Sequence, residues 1–363
     1  MDFTLSAEQL MIKDSVMRFA AERTADDPWT TFAQLGWLAV GAPEELGGFG
    51  GPLETMILME AFGRGLVTAP YVAQVAFAGA VLRLSGRADL LEALVEGNAR
   101  FAVAYEEPRA RYDPARVATI AMREGDGYLI GGHKVRVLGA GSARSLIVSA
   151  RLDRPDGEIG LFLVPAVAPG IAIVPLKSED GHDVSDVRLD NIRIEAGDCI
   201  AERGLHVLEH ALDIATAALC AEAVGIMSVL HEVTLDYLKS RTQFGVTIGS
   251  FQALQHRMAE MFTELELARS MAFVAAMTLS DEDDVHRRAR GISAAKVQIA
   301  RSGRFVGQNA IQLHGAIGMT EEYKIGHYFK RMTTLERLLG DSDYHLARYL
   351  AADRVRERQP VPA

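Results

Sequence analysis

Two segments of the sequence concentrate side chains able to bind or react. The first is Arg241-Thr242-Gln243-Phe244-Gly245-Val246-Thr247-Ile248-Gly249-Ser250-Phe251-Gln252-Ala253-Leu254-Gln255-His256; the second is Gln312-Leu313-His314-Gly315-Ala316-Ile317-Gly318-Met319-Thr320-Glu321-Glu322-Tyr323. Residue by residue, Arg241 is a cation at a helix C-terminus and Gly315 a helix stop. As segments, both stand out from generic helix. Other chemistries have less support. His256, His327 and His345 fall on separate helical patterns without the i, i+4 spacing of a helical metal site, so no metal is expected. Cys199 and Cys220 share no C-x-x-C or Cys/His spacing and read as reduced thiols. Gly47-Gly48-Phe49-Gly50-Gly51 lacks the lysine and the strand-to-helix setting of a phosphate cradle and reads as a loop. No Ser-His-Asp or Cys-His arrangement supports a hydrolase.

The elements that must position these segments follow from periodicity. Ser6-Ala7-Glu8-Gln9 is a capping box with Leu5 and Leu10 as a staple, so a helix starts near Ala7. Helical spacing continues to about Gly97, notably over 54–62 and 89–95. From residue 100 the pattern changes to short Val-, Ile- and Leu-rich runs, 101–104, 117–122, 128–138, 146–150, 160–164 and 187–194, separated by turns such as Gly125-Asp126-Gly127. These predict an antiparallel barrel or sandwich. After residue 199 helical spacing returns over 205–240, 251–279, 285–315 and 330–354, the pattern of a four-helix bundle. The expected class is therefore α+β, with domains at 1–99, 100–199 and 200–363.

Composition narrows the function. With 38 Lys and Arg against 48 Asp and Glu, the net charge of −10 argues against nucleic-acid binding. The acidic run Ser280-Asp281-Glu282-Asp283-Asp284 reads as a solvated loop. The start of the chain lacks a signal-peptide pattern and no apolar run is expected to cross a membrane, which points to the cytoplasm.

The two segments, with the helical, β, helical order, resemble the acyl-CoA dehydrogenases, flavoproteins that introduce a double bond next to a thioester. The likeness covers essentially the whole chain. It implies an FAD site in which Arg241 pairs with the pyrophosphate and Phe244 packs on the cofactor, with Gln243, Ile248, Phe251 and Gln252 beside them. The turn at Gln312, Leu313, Gly315, Ala316 and Gly318 brings backbone amides to the adenosine diphosphate half, with Ala316 where the family has Gly. In the family these residues mostly serve the neighbouring subunit's flavin, so an oligomer is implied, with an acyl-CoA substrate and an electron-transfer flavoprotein as acceptor.

The half that should hold the flavin ring departs from the family. Its Thr-Glu-Pro turn and following Ser become Glu106-Glu107-Pro108 and Tyr112, and its Gly-x-Lys-x-Trp-Ile-Thr strand becomes Gly132-His133-Lys134-Val135-Arg136-Val137-Leu138. The usual base, a carboxylate seventeen residues beyond Glu322, is Leu339, and the alternative position, twenty-six before Arg241, is Ala215. Asp213, Glu222, Glu336 and Asp341 remain as displaced candidates, Asp341 foremost because it adjoins Leu339. Two readings follow: a self-sufficient homotetramer with a displaced base, or a subunit completing the FAD site of a homologous partner. Ala218-Leu219-Cys220-Ala221-Glu222-Ala223-Val224-Gly225 and Gly326-His327-Tyr328-Phe329-Lys330-Arg331 are similar to the small subunit of pimeloyl-CoA dehydrogenases and favour the second.

Overall fold

A computed structural model describes residues 5–22, 28–280 and 284–357. The start of the chain and most of the acidic run, residues 1–4 and 281–283, lie outside the described residues. The helices in chain order are α1 (Ala7–Glu22), α2 (Trp29–Gln34), α3 (Pro52–Gly65), α4 (Ala80–Leu84) and α5 (Ala88–Val95). After the sheet come α6 (Leu205–Ser240), α7 (Gln252–Ser280), α8 (Val285–His314), α9 (Lys324–Arg337) and α10 (Ser342–Glu357). A π-helical stretch, Val72–Gly79, leads directly into α4. The main strands are β1 (Phe101–Ala104), β2 (Ile120–Glu124), β3 (Gly127–Leu138), β4 (Ser145–Leu152), β5 (Ile159–Pro165), β6 (Ile171–Pro175), β7 (Val184–Glu195) and β8 (Cys199–Ala201).

Packing groups the chain into two units: residues 25–51 with 68–215, and residues 1–24 with 52–67 and 216–363. Secondary structure changes near residues 100 and 200, but the helices before the sheet divide between the two units.

The first unit is built on one eight-stranded sheet in the order β6-β7-β3-β2-β4-β5-β8, with β1 on β4. The pairings are antiparallel except at β4, which runs parallel to β1 and β2, so the expected wholly antiparallel sheet becomes a mixed one. The β2–β3 hairpin closes through Gly125, whose φ of 60° suits a two-residue turn. Alternating side chains fill the core, among them Ala121, Tyr128, Ile130, Leu146, Val148, Phe162, Val187 and Ile192. A kink in β3, between Lys134 and Val137, shifts its register against β7.

The second unit is helical. At its start the capping box forms as expected: Ser6 N donates to Gln9 Oε1 at 2.9 Å and Gln9 N to Ser6 Oγ at 3.2 Å. The staple does not bury Leu10, which is 47% exposed. Helix α6 holds an apolar stretch of mean hydropathy 1.7 that is long enough to span a bilayer. That stretch is 83% buried inside the fold, as an all-round apolar core helix should be. Two glycines set its approach to α3: a Cβ at Gly63 would lie 2.0 Å from the Glu222 carbonyl oxygen, and one at Gly225 2.0 Å from that of Glu60. The single helix expected over 330–354 is broken into α9 and α10 at Leu338 to Asp341, where Leu339 takes a φ of 56°.

Candidate functional site

The two motif segments lie side by side in the helical unit. Residues 242–243 and 246–247 form a small hairpin whose loop residues, Phe244 and Gly245, both have positive φ, 55° and 81°. The backbone of Arg241 is fixed on both sides: its N–H donates to the Tyr237 carbonyl at 2.9 Å and its carbonyl accepts from Ile248 at 2.8 Å. Its guanidinium is exposed and has no ion pair among the described residues. Phe244 is 91% exposed, touching the Phe251 ring edge-on at 6.3 Å. Gln243 and Gln252 are exposed and Ile248 is half-buried.

The second segment begins where α8 stops at Gly315, φ 64°. Gln312 and Ala316 face solvent, Leu313 is half-buried and Gly318 is buried. Tyr237, four residues before Arg241, stacks on His314 with ring centroids 4.5 Å apart, and Arg257 Nη1 donates to Asn309 Oδ1 at 2.7 Å. The first contact joins the C-terminal ends of α6 and α8, and the second ties the start of α7 to α8. His314 Nδ1 lies 2.8 Å from the Ala310 carbonyl and so carries the proton, while burial holds the ring's pKa below the usual histidine range. A free cation, an exposed aromatic ring and a glycine turn on one surface suit the diphosphate end of FAD.

The flavin-ring half lies in the sheet unit. Val135 N donates to the Glu106 carbonyl at 2.8 Å, which clips the Glu-Glu-Pro segment to β3. The two glutamates then meet two cations of that strand. Glu107 accepts from Lys134 Nζ at 2.6 Å, Thr119 Oγ1 at 2.7 Å and the Ala118 amide at 2.7 Å. Burial raises its pKa, but the Lys134 charge and these hydrogen bonds outweigh it and leave Glu107 below the ordinary carboxylate range. Glu106 accepts from Arg136 Nε at 3.0 Å and Nη2 at 2.5 Å, and the Arg136 guanidinium lies 5.8 Å from the Tyr112 ring centre. Arg136 therefore meets two of the other three residues that replace family contacts, Glu106 and Tyr112. Leu138 ends β3 and offers no polar group. A flavin ring needs hydrogen-bonding partners at its polar edge, and here the charged groups already satisfy each other. This half does not fit the ring.

No expected position supplies a base. Leu339 is buried, and Ala215 is fully buried on α6. Asp341 is the N-cap of α10, its Oδ1 accepting from Tyr344 N at 2.9 Å. Glu222 is buried and accepts from Arg331 Nε at 2.6 Å and Nη2 at 2.9 Å. Glu336 is paired with Arg304, and Asp213 is buried and engaged. Two residues outside the base candidates, Lys296 and His345, build the turn around Leu339. Lys296 Nζ donates to the carbonyls of Leu335 at 2.5 Å and Leu338 at 3.0 Å, and His345 Nε2 lies 3.1 Å from that of Leu339. The only sequence signal for Lys296 was a charge inside an apolar helical face. Among the described residues no cluster suits a metal ion.

Comparison with known proteins agrees with this layout. The chain matches the acyl-CoA dehydrogenase N-terminal domain over residues 6–100, the middle domain over 102–192 and the C-terminal domain over 202–352. Acyl-CoA dehydrogenase FadE12 of Mycobacterium tuberculosis is 30% identical over 82% of this chain and 80% of its own length. The solved structure of the Tcur3481-Tcur3483 steroid ACAD G363A variant is similar at a TM-score of 0.87 and 29% identity, covering 98% of this chain and all, 100%, of that one. The ChsE4-ChsE5 complex from Mycobacterium tuberculosis shares the fold at a TM-score of 0.85 and 23% identity, over 99% and 100% of the two chains.

Proposed function

The chain belongs to the acyl-CoA dehydrogenase family, and from that premise we propose that it is one subunit of a heteromeric enzyme whose homologous partner holds the flavin ring and the catalytic base. It is an acyl-CoA oxidoreductase, and FAD is the cofactor. The observation that carries the subunit reading is the asymmetry of the cofactor residues. The diphosphate half, with Arg241, Phe244 and Gly315, is exposed and ready for another chain. The ring half is closed by Glu106 and Arg136. Undirected loss would damage both halves.

The chemistry FAD supplies is acceptance of a hydride from the acyl thioester. This chain's own work is binding. Arg241 offers a permanent charge to the pyrophosphate, Phe244 a face for packing, and the turn at Gly315 backbone amides. Leu339 cannot accept the proton that leaves the carbon next to the thioester carbonyl, and Asp341 is held as a helix cap, which argues against a displaced base on this chain. The acyl group is dicarboxylic or otherwise bulky, by likeness to the pimeloyl enzymes, and an electron-transfer flavoprotein takes the electrons. The solved complex of ChsE4 with ChsE5, whose fold this chain shares, supports the reading that chains of this fold can assemble in unlike pairs. The test is FAD content of the chain made alone and made together with a homologous acyl-CoA dehydrogenase chain. The reading expects flavin only in the joint preparation.

A further inference from the structure

The residues at the ring half do more than lack the expected contacts. We propose that the Glu106–Arg136 ion pair, with the Tyr112 ring beside it, is a plug that keeps a flavin ring out of this chain's own half-site, so that flavin enters the assembly in one place only. The proposal rests on the subunit reading and deepens it from lost contacts to exclusion.

Three features show a built arrangement. First, the pair is saturated: both Glu106 oxygens accept from Arg136 through Nε and Nη2, and the carboxylate is only 8% exposed. A ring entering here would have to part the two and leave a nearly buried charge unpaired. Second, the backbone is strained at these residues. Arg111, Tyr112 and Arg136 have φ of 43°, 70° and 52°, conformations that persist only where neighbouring contacts impose them. Arg136 sits in the β3 kink, and its amide donates to Asp186 Oδ1 at 3.1 Å. Third, the segment cannot simply swing aside. The Glu106 carbonyl is bound by Val135 N at 2.8 Å, and the adjoining Glu107 is tied to the fully buried Lys134 at 2.6 Å. Chance loss of flavin contacts would leave unrelated side chains here, whereas Arg136 meets both Glu106 and Tyr112.

The test uses the full chain made alone and titrated with FAD, with quenching of flavin fluorescence as the readout. Two double variants remove both charges at once, so neither leaves an unpaired ion: Glu106→Thr with Arg136→Trp, and the near-isosteric Glu106→Gln with Arg136→Met. Opening the plug should raise FAD affinity by roughly tenfold or more in the first and measurably in the second. The second variant carries the test if the first fails to fold, which circular dichroism reports. Folded variants that bind FAD no better than wild type would overturn the plug while leaving the subunit reading intact. A wild-type chain that alone binds one FAD would overturn both.

Discussion

The imidazole of His345 donates through Nε2 to the backbone carbonyl of Leu339 at 3.1 Å, and Ser293 Oγ lies 3.3 Å from its Nδ1. This neutral ring holds the left-handed turn that occupies the usual position of the base. Burial, with the charges of Lys296 and Arg348, pushes the His345 pKa down to about 3. Unfolded, the ring takes a proton near pH 6.5; folded, it does not. Its contribution is therefore complete above pH 6.5 and is lost as pH falls toward 3, at about 1.4 kcal/mol per unit. Urea unfolding should show stability dropping by about 2 kcal/mol from this group between pH 6.5 and 5. His345→Asn should flatten that slope; an unchanged slope would show that the ring is protonated in the fold.

Asp341 caps α10, and asparagine caps equally well. Asp341→Asn should therefore leave both stability and the dehydrogenase activity of the assembled enzyme near wild type, while Asp341→Ala should cost about 1 kcal/mol in unfolding experiments. Collapse of activity in Asp341→Asn with flavin retained would make this residue the base.

Arg241 is exposed and unpaired among the described residues, so its removal should not disturb the fold. In the assembled enzyme, Arg241→Ala should lower FAD affinity roughly tenfold or more, a charge-assisted contact being worth about 1.5–3 kcal/mol. The readout is FAD retained through dialysis; full retention would remove the residue from the cofactor site.

Gly225 allows α6 to lie on α3, and an added Cβ would stand 2.0 Å from the Glu60 carbonyl oxygen. Gly225→Ala should destabilise the chain by about 1–3 kcal/mol despite alanine's better helix propensity. A melting temperature equal to or above wild type would mean that the two helices separate without loss.

Much of this was legible in the sequence because the signals are local. Ser6 and Gln9 announce α1 from three residues apart, and Gly125-Asp126 announces the β2–β3 hairpin. β6 and β8 escaped notice because one is largely solvent-facing and the other only three residues long. The break between α9 and α10 is fixed by Lys296, forty-two residues (42) from Leu338 in sequence, so only Gly340 hinted at it. At the site, the departures at Glu106, Tyr112 and Arg136 were visible one by one. Their mutual contact was not, since the Glu106–Arg136 pair spans 30 residues and needs the kink in β3 to meet.

Division of the flavin site between two chains fixes the FAD stoichiometry. Protein made alone should be pale and inactive toward acyl-CoA, because the ring half is occupied by the Glu106–Arg136 pair and Leu339 replaces the base. Joined to its homologous partner, it should carry about one FAD per two chains, the cost of burying several unsatisfied polar groups, about 1–3 kcal/mol each, opposing a second. A yellow homo-oligomer with one FAD per chain that desaturates a thioester without any partner would contradict the account.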